Sequence, residues 1–127
     1  MKKVAVFGAG RIGRIHAANI AALAGVELAY VCDPIGDSAA QLAGQLGAQV
    51  STIEAVLADP TIDAVAITSP TSTHSDLINR SAAAGKHIFC EKPVDLSVAR
   101  AVACGEAVKA AGVACMIGFQ RRFDPTF

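Results

Sequence analysis

Gly8-Ala9-Gly10-Arg11-Ile12-Gly13 has the glycine spacing that lets a backbone wrap a diphosphate. In such a G-x-G-x-x-G, Gly8 serves a tight turn and Gly10 admits the phosphates close to the chain. Gly13 lets the following helix pack against the strand before it. The free N–H groups of a helix start, with the helix dipole, attract the negative charge. The alternative is a glycine-rich turn that binds nothing. Asp33 stands twenty residues beyond Gly13. A carboxylate there accepts hydrogen bonds from ribose hydroxyls and repels a 2′-phosphate. Pro34 follows it, so Asp33 also suits a turn, and the two roles are compatible.

Two further clusters carry reactive groups. Thr68-Ser69-Pro70-Thr71-Ser72-Thr73-His74 is dense in hydroxyls, and Ser69 and Pro70 are expected to line a nucleotide near its ribose and nicotinamide. Ser72 or Thr73 is expected to cap the next helix. His74 falls in that helix's first turn, where a plain surface position is the alternative. Glu91-Lys92-Pro93 is the sharpest feature of the chain. It sets a carboxylate and an ammonium side by side, and Pro93 holds Lys92 out of helical geometry. A lysine ammonium is a good hydrogen-bond donor. It becomes a useful base near neutrality only when desolvation or nearby positive charge lowers its pKa. The alternative for Glu91 and Lys92 is a surface ion pair.

The elements that must position these groups alternate. Short apolar runs are expected as strands at Val4–Phe7, Glu27–Cys32, Ala48–Val50, Ala64–Ile67, His87–Cys90 and Val113–Ile117. Between them, helices are expected over Arg11–Leu23, Asp37–Leu46, Thr52–Ala58, Thr73–Ala84 and Ser97–Ala111. Gly25, Gly47, Gly85 and Gly112 close four of them. Strands alternating with helices imply right-handed crossovers, hence an α/β fold with a parallel sheet and helices on both faces. Six strands in two halves predict the doubly wound, dinucleotide-binding (Rossmann) arrangement with strand order 3-2-1-4-5-6. Ligands of such sheets bind beyond the carboxyl ends of the strands, where the order reverses. The glycine loop, Asp33, the Ser69 loop and Glu91-Lys92 all fall at those ends.

Composition narrows the class. The 127 residues suffice for one domain, and 53% are hydrophobic, so a packed core is expected rather than disorder. Lys plus Arg and Asp plus Glu are 11 each, which points to neither nucleic acid nor an anionic membrane. The four cysteines, Cys32, Cys90, Cys104 and Cys115, form no C-x-x-C pair, and no metal is expected. Cys32, Cys90 and Cys115 fall in runs that read as buried strands, with thiols kept reduced in a cytoplasm. No apolar run approaches the ~20 residues of a membrane span.

Together, Gly8-Ala9-Gly10-Arg11-Ile12-Gly13, Thr68-Ser69-Pro70-Thr71 with His74, and Glu91-Lys92-Pro93 resemble the glucose–fructose oxidoreductase, inositol dehydrogenase and rhizopine-catabolism (Gfo/Idh/MocA) family. The resemblance runs over essentially the whole chain. Within that family, Phe89-Cys90-Glu91-Lys92-Pro93-Val94-Asp95-Leu96 and Gly118-Phe119-Gln120-Arg121-Arg122-Phe123-Asp124-Pro125 are most similar to inositol 2-dehydrogenases, with Gln120 where those more often carry Asn.

The resemblance implies NAD as cofactor, held by Gly8, Gly10, Arg11, Ile12, Gly13, Asp33, Ser69, Pro70, His74, Glu91, Lys92, Gln120 and Arg121. It implies oxidation of a ring hydroxyl of a polyol or sugar, with Lys92 as the catalytic residue at that hydroxyl and a Lys92–Pro93 bond that is often cis. It also implies a second α/β domain, absent from these 127 residues, that supplies a histidine base and the main oligomer contacts. Residues 1–127 are then the cofactor domain, expected to bind NAD(H) and to turn over poorly or not at all alone. A stand-alone NAD(H)-binding or sensing module and a different sugar substrate are the other functions considered. Glu91-Lys92-Pro93 favours the enzyme, because a sensor needs no lysine at a substrate hydroxyl.

Overall fold

The computed structural model describes residues 1–92, 94–95 and 97–118. Gln120, Arg121 and the Lys92–Pro93 peptide bond lie outside the described residues. Six strands, β1 (Lys2–Phe7), β2 (Val26–Cys32), β3 (Gln49–Val50), β4 (Ala64–Ile67), β5 (His87–Glu91) and β6 (Cys115–Gly118), form one sheet in the order 3-2-1-4-5-6. All five pairings are parallel. The expected topology therefore holds.

Strand alternation splits the core into two layers. Val6, Leu28, Val31 and Ala66 face α1 (Arg11–Ala21) and α2 (Gly36–Leu46), which meet them with the small residues Ala17, Ala39 and Ala43 and with Leu42. Ala5, Phe7, Cys32, Val65, Ile67, Ile88 and Cys90 face the other way. There they meet Val56 of α3 (Ile53–Ala58), Leu77, Ile78 and Ala82 of α4 (His74–Ala83), and Cys104 of α5 (Val98–Ala111). Neighbouring residues on one strand thus serve opposite layers, as the period of two requires. Beyond α1, the α1 side of β4, β5 and β6 carries no helix among the described residues. Ile15, Leu23 and Met116 are at least half exposed around that groove.

Several boundaries differ from expectation, each for a local reason. α1 stops at Ala21: Ala22 N–H still reaches Ala18 O at 3.2 Å, but Leu23 N–H turns to Ile20 O at 3.1 Å and so tightens the chain toward Gly25 at φ +79. β6 starts two residues late. Ala114 spends its N–H on His87 Nδ1 at 3.0 Å and its carbonyl on Ile88 at 2.9 Å before the strand begins. The third strand keeps two residues. Thr52 and Ser97 are N-caps, accepting from Ala55 at 3.1 Å and Arg100 at 3.4 Å, rather than first helical residues. Thr73 does not cap α4. A 3₁₀ turn over Thr71–Thr73 precedes the helix, and the Thr73 hydroxyl donates to Pro70 O at 2.6 Å instead.

The cysteines behave as core residues, with one correction. Cys32, Cys90 and Cys104 are buried, but Cys115 is half-exposed on the edge strand. Burial pushes the Cys32 and Cys90 thiols up to about 12, so they stay protonated and unreactive.

Candidate functional site

The carboxyl ends of β1, β4, β5 and β6 are in register, with Phe7 beside Ile67, Ile67 beside Cys90 and Glu91 beside Gly118. The loops leaving them therefore stand in one row, and β1 is the strand at which the order reverses. Thr68 N–H donates to Phe7 O at 2.9 Å, and the Thr68 hydroxyl reaches Phe7 O at 3.1 Å and Gly8 O at 3.0 Å. The glycine loop and the Ser69 loop are in this way tied edge to edge.

The three glycines are required for three different reasons. Gly8 has φ +109, and a Cβ there would lie 2.6 Å from Ser69 N. A Cβ on Gly13 would lie 1.9 Å from Gly8 O, so α1 packs onto the loop only without a side chain. Gly10 meets neither constraint. Its φ of −75 suits any residue, and a Cβ would touch nothing within 4 Å. The protein itself makes no demand on Gly10; the open space beside it does.

That space is a cleft of about 860 Å³, within the range of small-molecule sites. Gly8, Gly10, Arg11, Ile12, Asp33, Ser69 and Pro70 line it, together with Ile35, Leu77 and Arg80. α1 opens onto the cleft with no side-chain cap and no acidic residue in its first turn. The first backbone bond of the helix runs from Arg14 N to Gly10 O at 2.9 Å. The N–H groups of Arg11, Ile12 and Gly13 thus precede the ladder, and an anion is what satisfies such groups. The donor set and the vacant Cβ position at Gly10 fit a diphosphate.

Asp33 has more partners than its position in the sequence implies. Its carboxylate accepts from Ala9 N at 2.6 Å and from Ile35 N at 2.7 Å. The turn at Pro34 is present, and the same side chain also anchors the glycine loop. Ser69 bonds Thr73 Oγ1 at 2.6 Å. Thr73 gives its one proton to Pro70 O, so Ser69 is the donor and its lone pairs stay available at the cleft wall.

His74 is not a surface residue. It is 2% exposed, and its Nε2 donates to Ser69 O at 2.7 Å, shaping the loop from behind. Glu91 and Lys92 do not pair with each other. Lys92 is exposed at the bend after β5, while Glu91 reaches across to His16 of α1. Sequence reasoning missed both His16 and the anchoring bond to Ala9, since the partners are 75 and 24 residues apart. Asp95 was missed as well. It receives Ser97 N at 2.7 Å and the Ser75 hydroxyl at 2.9 Å, fixing the segment after Lys92 to α4.

A doubly wound sheet, a capless helix start at its switch point and a carboxylate at the end of β2 define a dinucleotide-binding domain. The comparisons make the class specific. The family model for the oxidoreductase family with an NAD-binding Rossmann fold (Gfo/Idh/MocA) matches residues 2–119, and the chain belongs to that family. It is 48% identical over 96% of its length to an inositol 2-dehydrogenase of Rhizobium meliloti (strain 1021), of which it covers 37%. It is 46% identical over 98% of its length to a scyllo-inositol 2-dehydrogenase (NAD(+)) of Bacillus subtilis (strain 168), again covering 37%. The crystal structure of a scyllo-inositol dehydrogenase from Lactobacillus casei, with bound NAD(H) and scyllo-inositol, superposes with a TM-score of 0.91 at 29% identity, over 99% of this chain and 38% of that one. The chain thus spans little more than a third of these relatives and corresponds to a cofactor domain.

Proposed function

We propose that this chain is the cofactor half of an NAD-dependent dehydrogenase that oxidises a ring hydroxyl of a cyclitol, with inositol as substrate. The observation that carries the proposal is the placement of Lys92. It follows directly on Glu91 at the tip of β5, two strands from the glycine loop at the tip of β1. The glycine-loop N–H groups and Arg11 hold the diphosphate, and Asp33 holds the adenosine ribose. Ser69 and Pro70 line the nicotinamide half, with His74 supporting them from the core. NAD⁺ supplies the hydride acceptor when bound. Lys92 donates a hydrogen bond to the hydroxyl being oxidised and stabilises the oxygen as its proton leaves for a base. That base and the rest of the substrate pocket belong to a second domain, as does the oligomer interface. The names of the relatives support inositol over other polyols.

Two measurements test this. Calorimetry on the 127-residue chain is expected to show NADH binding without polyol turnover. The protein extended to full length is expected to reduce NAD⁺ with myo- or scyllo-inositol in preference to a panel of sugars. NADH binding with no turnover on any polyol by the full-length protein would overturn the proposal.

A further inference from the structure

We propose that His16 is a positioning residue: from the second turn of α1 it holds the Glu91 carboxylate, and through it the turn that presents Lys92. The inference rests on the reading of Lys92 as the residue at the reacting hydroxyl. His16 Nε2 bonds Glu91 Oε1, and the two side chains are 28% and 23% exposed. Phe89 stands two residues before Glu91 on β5, hence on the same face. Its ring packs against the His16 imidazole, with centroids 5.0 Å apart and planes at 55°.

Gly118, beside Glu91 on β6, makes room for that ring. A Cβ there would lie 2.8 Å from Phe89 Cζ and 3.4 Å from Glu91 Oε1. Gly118, Phe89, His16 and Glu91 form a continuous wall. Between Phe89 and Glu91, Cys90 is fully buried on the opposite face, so the tip of β5 is gripped from both sides.

Stability alone does not call for this arrangement. A half-exposed pair contributes little, and an apolar residue in place of His16 would bury as much surface. What the bond does supply is a fixed relation between two parts of the site. α1 begins in the glycine loop, and Lys92 is the residue after Glu91. Beyond the sheet pairing that they share, the cradle for the diphosphate and the turn that carries the lysine are therefore linked directly by this hydrogen bond. Misplacing a reacting group by about 1 Å costs on the order of 100-fold in rate.

The test uses three variants of the full-length protein. His16→Gln keeps a side-chain N–H at about the reach of Nε2. His16→Asn is one methylene too short, and His16→Phe keeps the ring against Phe89 but has no donor. His16→Phe and His16→Asn are expected to lower kcat for inositol oxidation roughly 10- to 100-fold. Their Kd for NADH is expected to stay within about twofold of wild type, and His16→Gln is expected to recover most of kcat. Should His16→Phe not fold, the comparison of Gln with Asn decides. Equal kcat in all variants, equal losses in Gln and Asn, or a loss confined to NADH binding would each overturn the inference. A wild type that turns over no polyol would instead overturn the proposed function, and this inference with it.

Discussion

At the scale of single residues, the glycine loop separates what the fold needs from what the ligand needs. The Gly13→Ala methyl would meet backbone at 1.9 Å, so that variant is expected to lose about 3 kcal/mol or more, or not to fold. The Gly10→Ala methyl meets open space, so urea unfolding is expected to match wild type within about 0.5 kcal/mol. Its NADH affinity, measured by calorimetry, is expected to fall at least tenfold, because the methyl points into the room the diphosphate takes. The opposite order of stabilities would refute this account of the loop. Asp33 needs a gentler substitution than Ala, which would release the N–H groups of both Ala9 and Ile35. Asp33→Asn keeps one acceptor and removes the charge. Discrimination against NADPH is expected to relax about tenfold, or ~1.4 kcal/mol, in parallel calorimetric titrations of NADH and NADPH. The loop and Asp33 were legible in the sequence because their chemistry is local. The Asp33–Ala9 and His16–Glu91 bonds were not, since no pattern within a segment records which distant strand tip it will face.

At the scale of elements, the six strands and their order followed from alternation alone, but the joins did not. Whether Thr73 caps α4 depends on a 3₁₀ turn that Pro70 and Ser69 draw it into, a competition between local hydrogen bonds that residue types leave open. The crossover through α3 into β4 is held by carboxylates that composition shows only as solvated charge. Asp63 Oδ2 accepts from Lys3 N at 2.9 Å, its N–H reaches Lys3 O at 2.9 Å, and its carbonyl takes His87 N at 3.0 Å, so it joins the starts of β1, β4 and β5. The Lys3 N–H holds its carboxyl below the ordinary range. The Thr61 hydroxyl and N–H do the same for Asp59, and the backbone N–H of Glu54 itself, with Arg80, for Glu54. Each group binds its proton less readily folded than unfolded. The stabilisation is thus full above the unfolded carboxylate range, near about pH 4, and is lost as pH falls through the lowered folded values. Urea unfolding is expected to show a plateau from about pH 7 to about pH 5 and a decline below about pH 4. Asp63→Asn is expected to be less stable than wild type on the plateau, with the difference vanishing at the acid end. A difference independent of pH would show that Asp63 acts through shape and not charge.

At the scale of the whole molecule, the cleft lies where the two core layers come together at the strand tips. Phe7 and Val6 of β1 serve opposite layers, and the loop that leaves them is tied to β2 through Asp33 and to β4 through Thr68. A ligand seated on this loop touches a place where both halves of the sheet are joined. It also binds a surface that does not exist in the unfolded chain, so its binding free energy adds to stability. With NADH at about 100 times its Kd the gain is ~2.7 kcal/mol, which for a domain of this size raises Tm by roughly 10 °C. NADPH at the same concentration is expected to give a smaller rise, because Asp33 disfavours the 2′-phosphate. Gly10→Ala is expected to melt with wild type in the absence of nucleotide and to lose most of the NADH shift. Together these melting curves separate ligand from scaffold in a single experiment. If millimolar NADH leaves the wild-type transition where it was, the strand tips do not bind the cofactor that their geometry fits.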